Sequence, residues 1–180
     1  MGEGLVDKLR QEFELSVEWL GVEIHPETPQ EGTPMTARFR REDIERMMKH
    51  LRQMGAPFGI TFADRPLLSN SRKALMAAEF ARDKGRFQPF HEALFSAYFS
   101  QGLDIGNVDV LMRVAADTGV DPEAMKNAVQ DGTYLRTLQK AHDEATRLGV
   151  TGVPAFFIDE KKSVVGAQPL EVFRKALRSR

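Results

Sequence analysis

The chain has 180 residues, 42% hydrophobic and 28% charged, with a formal net charge of −1 and a sequence pI near 6.4. That length holds one domain with a full core, or a small domain carrying a large insertion; the near-neutral balance gives no basic field and excludes nucleic acid as a general partner. Charges interrupt every window of membrane-span length, and the absence of cysteine excludes disulfides, thiolate metal sites and thiol nucleophiles within these residues.

The opening segment, MGEGLVDKLRQEFEL, is acidic and amphipathic and has neither the basic nor the apolar region of a secretory signal, so a cytoplasmic protein is expected. Leu5, Leu9 and Phe13 recur at a spacing of four and predict a short helix over 4–13. LSVEWLGVEI, residues 15–24, then alternates: Leu15, Val17 and Trp19 lie on one side, Ser16, Glu18 and Leu20 on the other. The apolar set changes sides at Gly21, which predicts a strand with a bulge. HPETPQEGTPMT follows, with three prolines and a glycine in twelve residues, and reads as irregular loop.

From there the period is helical for over a hundred residues. Ile44, Met47, Met48, Leu51 and Met54 form one stripe, ended by Gly55 and Pro57, and GITFAD is a connector. Ser69 and Asn70 are cap candidates for a helix bearing Ala74, Leu75, Ala78 and Ala81, which Gly85 closes. Phe87 to Phe99 is aromatic-rich at near-helical spacing, fit either for a bundle core or for a binding groove. Val108 to Asp117 is a helix stopped at Gly119. Asp121-Pro122-Glu123 is a helix start with Asp as cap and Pro at the first position. Tyr134 to Leu148 is the last long helix of this block. The period then changes: PAFFID reads as a strand, EKKS as a turn, VVGA as a second strand, and Pro169 opens a helix with Leu170, Phe173 and Leu177 inward.

Side-chain chemistry is sparse. His25, His50, His91 and His142 lack the spacing of a metal-binding helix, and His25 with Glu27 is a surface pair, so no metal is expected. Ser69, Ser71 and Ser163 lie in no G-x-S-x-G elbow, and GLDIG has neither the lysine nor the preceding strand of a phosphate loop. TGVPAFFID stands out because a proline opens an apolar strand. Proline cannot donate to a ladder and ordinarily marks a strand's first residue or an edge.

TGVPAFFID and VVGAQPLEVF, with WLGVEIHPETPQEG, SNSRKALMAAEFARDKGRFQPFHEALFSAYF and DIGNVDVLMRVAADTGVD, resemble the DsbA-like family of thiol–disulfide oxidoreductases, and within it the FrnE-type branch. The likeness runs from about Gly4 to the C-terminus. It implies an α/β, thioredoxin-like fold interrupted by a large α-helical insertion: residues 1–39 and 149–180 form the core, 40–148 the insertion. It also implies a cis bond before Pro154 and a substrate-docking loop of Thr151, Gly152, Val153 and Pro154, whose backbone pairs with extended protein or peptide substrate. The family's first strand and C-x-x-C motif stand ahead of the segment resembling residues 4–9. Both are expected to be missing here, so no catalytic residue and no cofactor is assigned, and this chain alone is expected to be inactive. Without that strand, the strands at 15–24 and 155 onward stand roughly 9–10 Å apart. Either the sheet closes up, or another chain supplies a strand, as in a homodimer with exchanged elements, or the natural N-terminus lies further upstream.

Two alternatives remain. One is a peptide- or partner-binding module without catalysis. The other is a relative of the kappa-class glutathione transferases and hydroxychromene-carboxylate isomerases, with glutathione as ligand and Asn70 as a binding residue.

Overall fold

The computed structural model describes residues 2–64, 66–159 and 162–178, and of Lys162 the backbone alone. The chain divides into two compact units, one of Met1–Leu20 with Asp143–Arg180, the other of Gly21–His142.

In the first unit, α1 (Gly2–Arg10) turns Leu5, Val6 and Leu9 inward, and α9 (Leu170–Arg178) contributes Phe173 and Leu177. The two helices pack together. Arg174 of α9 binds Glu12 through both carboxylate oxygens, at 2.8 and 2.5 Å, and also reaches Glu171. The guanidinium holds the Glu12 carboxyl below the usual carboxylate range. β3 (Ala155–Ile158) and β4 (Lys162–Val165) form an antiparallel pair with Ala155 opposite Val165 and Phe156 opposite Val164. Side chains alternate across a strand. Phe156 therefore meets Phe173 edge-on, ring centroids 4.9 Å apart, and Val164 is buried, while Phe157 and Val165 face outward. Of the expected EKKS turn, Glu160 and Lys161 lie outside the described residues, while Lys162 and Ser163 belong to β4, which ends at Val165 and leaves Gly166 and Ala167 of the expected VVGA strand outside it.

The second unit is a helical bundle: α4 (Arg72–Asp83), α5 (Phe87–Phe95), α6 (Val108–Asp117), α7 (Pro122–Gln130) and α8 (Leu135–Arg147), inside which the division at His142 falls. Ala74, Ala77, Ala78 and Ala81 give α4 a face small enough for α5, α6 and α7 to approach it closely. Phe90, Leu111 and Met125 fill the space between and are wholly buried. Asp121 caps α7, its carboxylate accepting from the N–H groups of Glu123 and Ala124 at 3.0 Å, as the Asp-Pro-Glu start predicts. Gly85 takes φ +67° where α4 ends, a conformation costly for any side chain. Ahead of the bundle, α2 (Met35–Arg38) leads into α3 (Arg41–Gly55), whose apolar stripe is only half-covered apart from buried Met48.

Two further expectations fail. No strand forms over 15–24. Residues 15–20 keep the alternation, Leu15, Val17 and Trp19 half-buried and Ser16, Glu18 and Leu20 exposed, but no ladder joins them among the described residues. Alternation encodes which side faces inward; a strand also needs a neighbouring backbone about 4.8 Å away, which a local pattern does not carry. Conversely, the 25–36 loop is not wholly irregular. β1 (Thr33–Pro34) pairs with β2 (Leu67–Leu68), a two-residue bridge created by chain return rather than by any periodicity.

Tyr134 ties the start of α8 to α4. Its hydroxyl donates to Asp83 Oδ2 at 2.6 Å and its ring meets Phe80 edge-on. Burial, and then the Asp83 hydrogen bond, push its phenol up to about 12. A raised folded-state value means the interaction is fully present below the unfolded phenol's pKa, about 10, and is lost as pH climbs through 12. In a Tyr98→Phe protein, absorbance of the remaining phenolate should therefore rise near pH 12. A midpoint near 10 in the folded protein would refute the burial.

Candidate functional site

The loop leading into β3 is the part of the first unit in which proline chemistry and open backbone coincide. α8 ends where the Val150 N–H bonds the Ala145 carbonyl at 2.9 Å, and Thr151, Gly152 and Val153 follow without regular structure. The Val153–Pro154 peptide is cis. The Pro154 carbonyl accepts from the Gly166 N–H at 2.7 Å, anchoring the loop's far end to the residue after β4. Thr151 is exposed and Val153 is 59% exposed. A methyl group added at Gly152 would meet nothing within 4 Å. The backbone of residues 151–153 is thus accessible over a fixed base.

That base includes a residue that no sequence pattern marks. Gly2, the first residue of α1, lies so close to the loop that a methyl there would sit 3.3 Å from Pro154 Cβ and 3.4 Å from Phe156 Cζ. A larger side chain would force the helix start away. The positive end of α1, whose first N–H groups have no intrahelical acceptors, therefore stands beside Pro154. Nothing in a glycine two positions ahead of an apolar stripe reveals what it will pack against. The first unit brings Thr151, Gly152, Val153 and Pro154 together with Gly2, Phe156 and Gly166. The loop offers backbone donors and acceptors and no nucleophile.

Asn70 belongs to the second unit, in a different setting. Its side chain is 9% exposed; Nδ2 donates to the Thr28 carbonyl at 2.6 Å and Oδ1 accepts from the Arg72 N–H at 3.0 Å. It caps the first turn of α4, as its place ahead of that helix predicts, and fastens the 25–32 loop to it. Beside it, Ser69 Oγ and Thr28 Oγ1 are buried without a protein partner.

The aromatic segment presents two faces. Phe90, Leu94 and Ala97 go to the bundle core. Phe87, His91, Phe95 and Phe99 stack in a row, successive ring centroids 5.2, 4.5 and 5.5 Å apart, and Phe95 is 46% exposed. Burial lowers the His91 pKa. His25 pairs with Glu27, which also binds Arg38. Among the described residues no three His, Asp or Glu side chains gather to hold a metal, and no helix is long and apolar enough to cross a membrane.

Comparison with known proteins agrees with this architecture. The uncharacterized protein YwbO of Bacillus subtilis (strain 168) is 30% identical over 102 residues, 54% of this chain and 49% of its own length. The 2-hydroxychromene-2-carboxylate isomerase of Sphingobium xenophagum is 28% identical over 85 residues, 47% of this chain and 44% of its own. The chain thus matches about half the length of each of these curated relatives. The "probable DsbA oxidoreductase" of Streptomyces coelicolor superposes with a TM-score of 0.90 over 99% of this chain and 82% of that one, at 23% identity, a likeness of fold. The fold is mixed α/β and thioredoxin-like, mostly helical with a small sheet. The family model of the DSBA-like thioredoxin domain spans residues 1–178, and with the cis-proline loop set against the start of α1 it places this chain in one family: it belongs to the DSBA-like thioredoxin domain family.

Proposed function

We propose that this chain is the polypeptide-binding part of a FrnE-type thiol–disulfide oxidoreductase, docking an extended substrate segment on the backbone of Thr151, Gly152 and Val153 beside Pro154. The observation that carries the reading is the open backbone of that loop: Val153 is 59% exposed and the space over Gly152 is empty. Extended peptides bind such surfaces through main-chain N–H and C=O groups, which gives affinity with little side-chain selectivity. Thiol exchange needs a thiolate, and these 180 residues hold no cysteine. The chain by itself is a binding module; the reading divides core from helical insertion near residues 39–40 and 148–149, outside the division of the compact units at 20–21 and 142–143. The reading places it in the cytoplasm, which fractionation of the host checks.

A specific observation favours a second reading, the 28% identity to an isomerase of the glutathione-related branch. Against a ligand role for Asn70 stands its geometry, since both ends of its amide are engaged by backbone.

One titration separates the two. Carboxymethylated insulin B chain, an unfolded probe without free thiols, should shift the amide resonances of Gly152 and Val153 saturably, and glutathione should leave them in place. Shifts from glutathione and none from the peptide would overturn the docking reading in favour of the second. In a turbidity assay the chain alone should not accelerate insulin reduction beyond the uncatalysed rate.

A further inference from the structure

Gln168 stands just after the hairpin and turns its side chain back toward it. Its Nε2 donates to the Val165 carbonyl at 3.1 Å. A methyl group at Gly166 would sit 3.6 Å from that same nitrogen, so the amide lies folded over the turn. The Gln168 N–H closes the turn as well, bonding the Gly166 carbonyl at 2.9 Å. Gly166 takes φ +82°, a conformation that a side chain would make costly. Pro169 follows, and a residue ahead of proline is driven toward extended backbone, which limits how Gln168 can move.

The Val165 oxygen and the Gly166 N–H are the two ends of one rigid, planar peptide unit. Gln168 grips the oxygen, and the N–H at the other end donates to the Pro154 carbonyl at 2.7 Å. That carbonyl is where Pro154 can still turn. The ring fixes its φ and the flanking peptide bonds are planar, which leaves ψ as its single soft torsion. A hydrogen bond to the Pro154 oxygen therefore sets ψ, and ψ sets the direction in which Val153 leaves the hairpin. Hydrogen bonds chained through one peptide unit also polarise one another, so a donor on the Val165 oxygen makes the Gly166 N–H a better donor. We propose that Gln168 is a positioning residue for the docking loop. Through the Val165–Gly166 peptide it holds Pro154, and with it the backbone of Thr151, Gly152 and Val153, in the geometry that accepts an extended peptide. The proposal rests on the docking reading above, and Gln168 acts through Pro154 rather than by touching the peptide. Its bond lies at the surface, where water can take over a freed carbonyl. Stability then changes little, but water restores no fixed direction to the peptide unit.

Titration of the full chain with carboxymethylated insulin B chain, followed through the Gly152 and Val153 amide resonances, tests it. Gln168→Met keeps the length of the side chain and removes the donor. Its affinity for the peptide should fall roughly 3–10-fold, the loss expected for one hydrogen bond. The Gly166 amide proton should move upfield as its bond to Pro154 lengthens, while Tm stays within about 3 °C of wild type. Gln168→Glu, whose carboxylate accepts where the amide donated, should bind no better than Gln168→Met. Wild-type affinity in both variants, or a Gly166 amide that does not move, overturns the proposal. So does a variant that fails to fold, or one whose affinity falls only with a larger loss of Tm, since either marks a residue that holds the hairpin rather than the loop. A wild-type chain that binds no peptide is a separate failure: it removes the docking reading, and the proposal with it.

Discussion

Phe173→Ala should cost about 3–5 kcal/mol, the range for truncating a buried phenylalanine. The loss should fall on the first unit. Phe173 is 2% exposed and meets Phe156, and Phe156 is the ring against which Gly2 and α1 start. The apolar core there is small: Leu5, Val6 and Leu9 from α1, Ala145 from α8, Val164 from β4, Phe173 and Leu177 from α9. A cavity among so few side chains removes a large fraction of what holds the β3–β4 pair, and of the base under residues 151–154. Hydrogen exchange should show β3, β4, α1 and α9 losing protection first, while α4 to α7, whose core includes Phe90, Leu111 and Met125, keep theirs. Uniform loss across both units would mean that they unfold as one, and a cost under about 1 kcal/mol would mean that Phe173 is not the centre of this core.

The same contrast explains what the sequence made legible. The bundle was readable because its information is local: apolar stripes at helical spacing, Asp121 before Pro122, glycines at helix ends. Each is decided within one or two turns of chain. The hairpin was readable for the same reason, an apolar run and its return joined by a short polar turn. The strand expected over 15–24 failed because its alternation reports exposure and says nothing of a partner backbone. Thr33–Pro34 and Leu67–Leu68 pair across more than thirty residues of intervening chain, and two residues leave no period to detect. At the site, TGVP identified itself through the proline at a strand entrance. The contact of Gly2 with Pro154 and Phe156 did not, since a close approach between segments 150 residues apart is a property of the packed chain.

Asn70→Ala tests whether that side chain is a clamp or a ligand-binding group, and the expected effect is on stability. The substitution strands the buried Thr28 carbonyl, worth about 1–3 kcal/mol, and removes the cap on the Arg72 N–H, worth about 1 kcal/mol. Together these lower the melting temperature by roughly 5–10 °C for a chain of this size. Asn70→Asp separates the two contributions. Aspartate keeps an oxygen for the Arg72 N–H but sets a second carboxylate oxygen against the Thr28 carbonyl, where Nδ2 donates at 2.6 Å in the native protein. It should therefore be no better than alanine at neutral pH despite retaining the cap, and it should recover on acidification, when a protonated carboxyl donates again. Ser69→Ala is the internal control: its hydroxyl is buried without a protein partner, so removing it should change stability by less than about 1 kcal/mol. A ligand-binding Asn70 predicts the opposite pattern, a melting temperature that hardly moves in either variant and a loss confined to glutathione affinity. The two patterns do not overlap, because a side chain with both polar ends bonded to backbone cannot be removed without exposing what it bonded.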